Sequence, residues 1–122
     1  MMLPLLLAAT LFAQPARLPM NASPVPADCP LTIGFASYGA GIDRGSVQAV
    51  DRLLGRDRAV RAVTRHQWGR EGEVTLCVRT RSAADASRLF RSVRALLPAR
   101  PRGPIALATR GGLRYETPPP RH

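Results

Sequence analysis

A strand, a glycine-rich turn and the start of a helix follow one another in Leu31–Val50, and this succession constrains the fold most strongly. Leu31–Ser37 alternates large apolar residues with small or polar ones, which is the period of a half-buried strand. Gly39, Gly41 and Gly45 then mark a turn. The stretch therefore predicts the first half of a small α/β unit.

The helix after this turn carries its apolar residues on one face. These residues are Val47, Val50, Leu53 and Leu54. Asp43 or Ser46 can cap its N-terminus, because an oxygen there accepts a hydrogen bond from a free N–H of the first turn. Gly55 fits the C-cap.

A hairpin is predicted next. Ala59–Trp68 is rich in residues that favour strands but alternates poorly, so it predicts an edge strand. Gly69–Gly72 forms a tight turn, and Glu73–Thr80 alternates clearly enough to predict a second strand.

A second helix and a last strand complete the pattern. Ser82, with Asp85 three residues later, predicts a capped helix start, and Pro98 ends the helix. Its apolar face consists of Ala86, Leu89, Phe90, Val93, Leu96 and Leu97. Ile105–Thr109 predicts the last strand, which ends at the glycine pair 111–112.

The resulting order, βαββαβ, predicts an α+β fold, the ferredoxin-like sandwich. It has a four-stranded antiparallel sheet with two helices on one face. The third strand then lies beside the first and runs against it. This adjacency brings Cys29, just before the first strand, close to Cys77 in the third. We therefore expect a disulfide between them, as is usual for two cysteines in an exported domain.

The ends of the chain predict export. Met1–Ala13 is apolar and too short for the ~20 residues that span a bilayer, which indicates a signal peptide cleaved after Ala13 or as late as Ala16. We expect residues 14–28 to form a proline-rich linker, 29–112 the folded domain, and 113–122 a proline-rich disordered tail. The expected location is periplasmic or secreted, with no transmembrane anchor after processing.

The net charge of +10 bears on the partner. All 18 basic residues are Arg, a bias that a GC-rich genome also produces, so single arginines carry little functional weight. The overall charge still favours an anionic envelope polymer, or else a protein partner. Nucleic acid is not expected, because RRM domains stack bases on aromatics of the open sheet face. That face here would consist of Thr32, Gly34, Ala36, Thr75, Cys77 and Arg79, none of them aromatic.

The glycine turn is the candidate ligand site, since backbone N–H groups between a strand and a helix can bind an anion. Its candidate residues are Ser37, Tyr38, Gly39, Gly41, Arg44 and Ser46. The glycine spacing does not fit a dinucleotide site. No cofactor, metal site or catalytic residue is predicted, because the two histidines and two cysteines are scattered. A small enzyme with its site at Gly39–Ser46 remains an alternative.

Two further features bear on binding. Trp68, at the hairpin tip, is a candidate partner contact in a docking domain, or a cover for one end of the core. Ile33–Tyr38 is similar to the Gly-small-aromatic opening of SPOR domains, and Val78–Leu96 resembles their second half. SPOR domains are βαββαβ modules that bind peptidoglycan lacking stem peptides, so the resemblance implies that ligand class.

Overall fold

The computed structural model describes residues 25–119. The predicted signal peptide and most of the predicted linker lie outside them. The elements are β1 (Leu31–Phe35), α1 (Arg44–Arg56), β2 (Val60–Gln67), β3 (Val74–Thr80), α2 (Ala83–Leu96), β4 (Ile105–Thr109) and β5 (Arg114–Glu116). In the described residues, neither helix is long and apolar enough to cross a membrane.

The strands form a five-stranded antiparallel sheet in the order β2-β3-β1-β4-β5. Strand β1 is central: Leu31 lies opposite Val78 of β3 and Thr109 of β4. The predicted α+β class with an antiparallel sheet is confirmed. The predicted count of four strands is wrong, because β5 adds a fifth.

Strand β5 lies beyond Gly112, in the segment predicted as a disordered tail. It pairs with β4, so that Tyr115 lies opposite Leu107. The guanidinium of Arg94 covers the Tyr115 ring at 4.2 Å from its centroid. A strand of three residues is too short to show a period in the sequence, and it forms here because these tertiary contacts hold it.

The hydrophobic core lies between one face of the sheet and both helices. Side chains that alternate along β1, namely Leu31, Ile33 and Phe35, are completely buried there. The helices contribute their buried stripes, Val47, Val50 and Leu54 from α1 and Ala86, Leu89, Phe90 and Val93 from α2. The period-2 and helical patterns thus place the apolar residues as predicted.

The helix caps settle one open alternative and correct one prediction. Asp43 caps α1, and Ser46 is buried within the first turn instead. Gly55 is not the C-cap: α1 continues to Arg56 and Asp57 is the C-cap, in extended rather than left-handed conformation. No left-handed position therefore requires glycine at this helix end.

The predicted disulfide between Cys29 and Cys77 is present, with the two Cα atoms 5.6 Å apart. Cys77 alternates with the core residues Leu76 and Val78, so it lies on the sheet face that points away from the helices. On that face Asp28 also pairs with Arg79 at 3.3 Å. The bond is consistent with an oxidising, extracellular compartment.

Candidate functional site

The glycine turn is organised around one hydroxyl group. The Ser37 Oγ accepts hydrogen bonds from the backbone N–H of Gly39 at 2.8 Å and of Gly41 at 2.9 Å. Both glycines have positive φ, +124° and +102°, which side-chain-bearing residues rarely adopt. The Ser37 hydroxyl in turn donates to Glu71 at 3.3 Å. The N–H groups of Gly39 and Gly41 are therefore used within the turn and do not face an anion.

A carboxylate of the protein occupies the N-terminus of α1. Asp43 accepts a hydrogen bond from the N–H of Ser46 at 3.0 Å, and its other oxygen accepts one from the N–H of Arg102 at 2.7 Å. Burial raises the pKa of Asp43, but these hydrogen bonds outweigh it, so the pKa lies below its ordinary value. The negative charge that favours a helix N-terminus is thus already supplied.

The structure separates the residues predicted for this turn. Ser37, Gly39 and Gly41 form the closed hydrogen-bond network, and Ser46 is 5% exposed. Tyr38 is 47% exposed and Arg44 is exposed. The turn geometry accounts for the glycines, and an anion site here would depend on the Arg44 and Tyr38 side chains.

A groove of about 350 Å³ crosses the sheet face opposite the helices, and we call it the open-face groove. Its floor is made by small residues on, or directly after, three adjacent strands: Thr32, Gly34, Ala36, Thr75, Ala106 and Ala108. Trp68 lies on one side, and Arg114 and Glu116 of β5 lie on the other. The face combines an apolar floor, an indole and two side chains of opposite charge.

The strand pairings explain why a groove forms. Gly34 lies opposite Thr75 on one side and Ala106 on the other, so the middle of the sheet has no large side chain. Strand β5 forms the wall of the groove opposite Trp68, because Glu116 pairs with Ala106 and Arg114 pairs with Ala108. The predicted open-face residues of β1 do lie on this face, but the sequence carried no sign of the β5 wall.

Trp68 is fixed at the other side. Its indole Nε1–H donates to Thr75 Oγ1 at 3.0 Å, and its backbone N–H donates to the Glu73 carbonyl at 3.0 Å. In the described chain, Trp68 is not part of the core cluster between sheet and helices. The register of β2 with β3 explains why Trp68 lies on this face. His66 pairs with Thr75 on the open face, so Trp68, two residues later and just beyond the end of β2, continues the alternation onto the same face.

The cysteine, histidine and acidic side chains limit the catalytic and metal-binding chemistry available to the described residues. Both cysteines form the disulfide, so residues 25–119 contain no free thiol for a Cys–His pair. The same range has no group of three or more His, Cys, Asp or Glu side chains able to hold a metal ion. His66 shares the open face, and its Nε2 is buried with no hydrogen-bond partner among the described residues. His122 lies outside them.

Comparison with known proteins finds no similar protein: no family model, curated protein or solved structure matches this chain.

Proposed function

We propose that this chain is an exported, non-catalytic domain that binds an anionic glycan of the cell envelope in the open-face groove. The observation that carries the proposal is the groove itself. Its floor of small side chains lies between the hydrogen-bonded Trp68 indole and the charged pair Arg114 and Glu116.

The chemistry of the groove suits a sugar chain. A sugar ring presents C–H groups on its faces, which pack against an aromatic surface, and hydroxyl groups at its edge. Trp68 supplies the aromatic surface, while Arg114 and Glu116 supply a donor and an acceptor for hydroxyls. The volume of about 350 Å³ is within the ~300–1,000 Å³ of small-molecule pockets.

Charge and compartment support the anionic envelope ligand. The net charge of +10 attracts polyanions over a distance and raises their local concentration. The disulfide supports an oxidising compartment, and the apolar segment Met1–Ala13 supports export to the periplasm or beyond.

We also propose a ferredoxin-like core for this domain. The order β2-β3-β1-β4, the antiparallel pairings and the two helices support it, with β5 as an addition at one edge. The resemblance of Ile33–Tyr38 to SPOR domains favours one ligand among envelope glycans, peptidoglycan strands that lack stem peptides.

The test is co-sedimentation of the protein without its predicted signal peptide, using purified sacculi and anionic vesicles at low and high salt. We expect retention on sacculi that Trp68→Ala abolishes. Tyr38→Ala is the matched control, because Tyr38 is also a partly exposed aromatic but belongs to the glycine turn. It should be retained like the parent protein.

Other outcomes would redirect the proposal. Loss of retention with Tyr38→Ala and Arg44→Ala, but not with Trp68→Ala, would favour the glycine turn. Retention on both sacculi and vesicles that disappears at high salt would indicate non-specific attraction, because salt screens exposed charges. Retention on neither would favour a protein partner.

A further inference from the structure

Strand β2 forms one edge of the sheet. Strand β3 pairs with its inner side, and within residues 25–119 no strand pairs with its outer side. Residues 61–65 are all exposed, and Ala62–Gln67 keeps a regular register with β3. The outward N–H and C=O groups of such an edge can pair with a further strand.

A groove of about 500 Å³ lies beside this edge, between α1 and β2. Its larger apolar side chains are Leu54, Val60 and Val63, and we call it the α1–β2 groove. Val63 lies opposite the fully buried Val78 and points to the same side of the sheet, yet it is 39% exposed. Helix α1 therefore leaves part of the helix side of β2 uncovered, where the side chains of an added strand would pack.

Arginines lie on and next to the lining of the α1–β2 groove: Arg61 lines it, and Arg52, Arg56 and Arg58 each follow a lining residue in the sequence. Arg52, Arg56, Arg58 and Arg61 are exposed and form no ion pair with any acidic side chain of residues 25–119. The two carboxylates that line the groove are already engaged. Asp51 pairs with Arg65 at 3.1 Å, and Asp57 pairs with Arg88 at 2.8 Å.

From these observations we infer that the outer edge of β2 binds an extended, acidic peptide segment of a partner protein. The segment adds a strand beside β2, places alternate side chains over the α1–β2 groove, and pairs its carboxylates with these arginines. This surface is separate from the open-face groove, which lies on the other face of the sheet and does not include these residues.

The charges favour an acidic partner over two other occupants. A second copy of the chain would bring the same unpaired arginines, Arg61 among them, to this edge, and like charges across strands are destabilising. The chain's own residues 1–24 and 120–122 contain Arg17 and Arg121 but no Asp or Glu. Neither occupant offers the carboxylates that the arginines would pair with.

The first test uses a fluorescent peptide of about ten residues, the length of a long strand, with alternating Glu and Val. We expect it to bind at least about tenfold more tightly than the same peptide with Lys in place of Glu, a difference of about 1.4 kcal/mol. Amide hydrogen exchange should slow at residues 61–65. N-methylation of alternate peptide residues should abolish binding, because it removes the backbone donors.

Arg61→Glu is the variant that tests the position. Arg110→Glu is its matched control, since Arg110 is exposed and lies in the turn after β4, toward the other edge of the sheet. We expect Arg61→Glu to weaken peptide binding at least about tenfold and Arg110→Glu less than about threefold.

Three results would overturn the inference. Equal weakening by Arg61→Glu and Arg110→Glu would mean general charge attraction. Full binding of the N-methylated peptide would mean that no strand is added, and exchange protection away from β2 would place the peptide elsewhere. Trp68→Ala should leave peptide binding unchanged, so this inference and the glycan proposal can fail independently.

Discussion

The two faces of the same sheet are covered in different ways. On the helix side, Leu31, Ile33 and Phe35 are completely buried under α1 and α2. On the other side, Thr32, Gly34 and Ala36 form part of the floor of the open-face groove. Because side chains of a strand alternate between faces, a single strand supplies both surfaces. Burial of large side chains is thus concentrated on one face, and the other is left accessible.

Within residues 25–119, no helix packs on the open face. A disulfide and an ion pair attach the chain to the sheet there. The Cys29–Cys77 bond and the Arg79–Asp28 pair both attach the chain before β1 to this side of β3. The two faces should therefore respond differently to mutation, to reduction and to acid.

The largest difference is expected between two residues of β1 that face opposite sides of the sheet. Phe35→Ala removes a fully buried side chain and should lower the free energy of unfolding by about 3–5 kcal/mol. Thr32→Ala, on the open face, should lower it by less than about 1 kcal/mol, because its hydroxyl makes one long hydrogen bond to Ala108 at 3.4 Å. Urea denaturation followed by circular dichroism measures both. Similar losses would contradict the assignment of the faces.

Loss of the disulfide should have the next largest effect. The bond joins residues 48 positions apart, and the entropy of closing such a loop corresponds to about 4 kcal/mol, with about 2–4 typical of measured cases. The double variant Cys29→Ser/Cys77→Ser should lower the free energy of unfolding by about 2–4 kcal/mol. Reducing agent should destabilise the parent protein and leave the double variant unchanged. An unaffected parent would show that the bond does not hold the open face.

Gly103 lies in the loop before β4, next to the backbone of Ala36 just after β1. A Cβ at this position would collide with the backbone carbonyl of Ala36, so Gly103→Ala should lower the free energy of unfolding by about 1–3 kcal/mol. Gly55 is the matched control, because a Cβ there meets no atom within 4 Å. Gly55→Ala should instead raise it by about 0.5–1 kcal/mol, since Ala favours a helix. Equal thermal shifts in the two variants would show that the contact with Ala36 is not close.

The smallest effect concerns acid stability on the helix side. Hydrogen bonds from Arg88 and from the N–H of Ala59 lower the pKa of Asp57 to about 2, against 3.8 for an unperturbed aspartate. Ionised Asp57 therefore stabilises the fold above pH 3.8, and this contribution is lost as the pH falls through about 2.

Asp57→Asn should lower the free energy of unfolding at neutral pH by less than about 1 kcal/mol, because the pair is partly exposed. It should also flatten the decline in stability between about pH 4 and pH 2. An acid-unfolding curve identical to that of the parent protein would mean that the Asp57–Arg88 pair contributes no stability.

The sequence predicts the elements whose side chains follow a long, clear period. Strand β3 and helix α2 lie within a few residues of their predicted bounds, because Val74–Val78 and Ala86–Val93 alternate or repeat regularly. The disulfide follows from the adjacency of β1 and β3. The expected order of helices and strands is therefore recovered from local patterns.

The groove could not be predicted, because its walls depend on contacts between distant residues. Strand β5 forms where Tyr115 meets Leu107 and Arg94, and none of these contacts is visible in three residues of sequence. The open-face position of Trp68 depends on the register of His66 with Thr75. In the glycine turn, the N–H groups of Gly39 and Gly41 bind Ser37 within the protein, a contact that the glycine pattern alone does not indicate.

Fluorescence of Trp68 tests the central claim most directly, because this is the only tryptophan among the 122 residues and it lies in the open-face groove. The protein would be titrated with soluble peptidoglycan glycan strands that lack stem peptides. We predict a saturable change in Trp68 emission whose midpoint matches the binding measured by sedimentation, with Tyr38→Ala behaving as the parent protein. Glycan binding with no change in Trp68 emission would contradict the account.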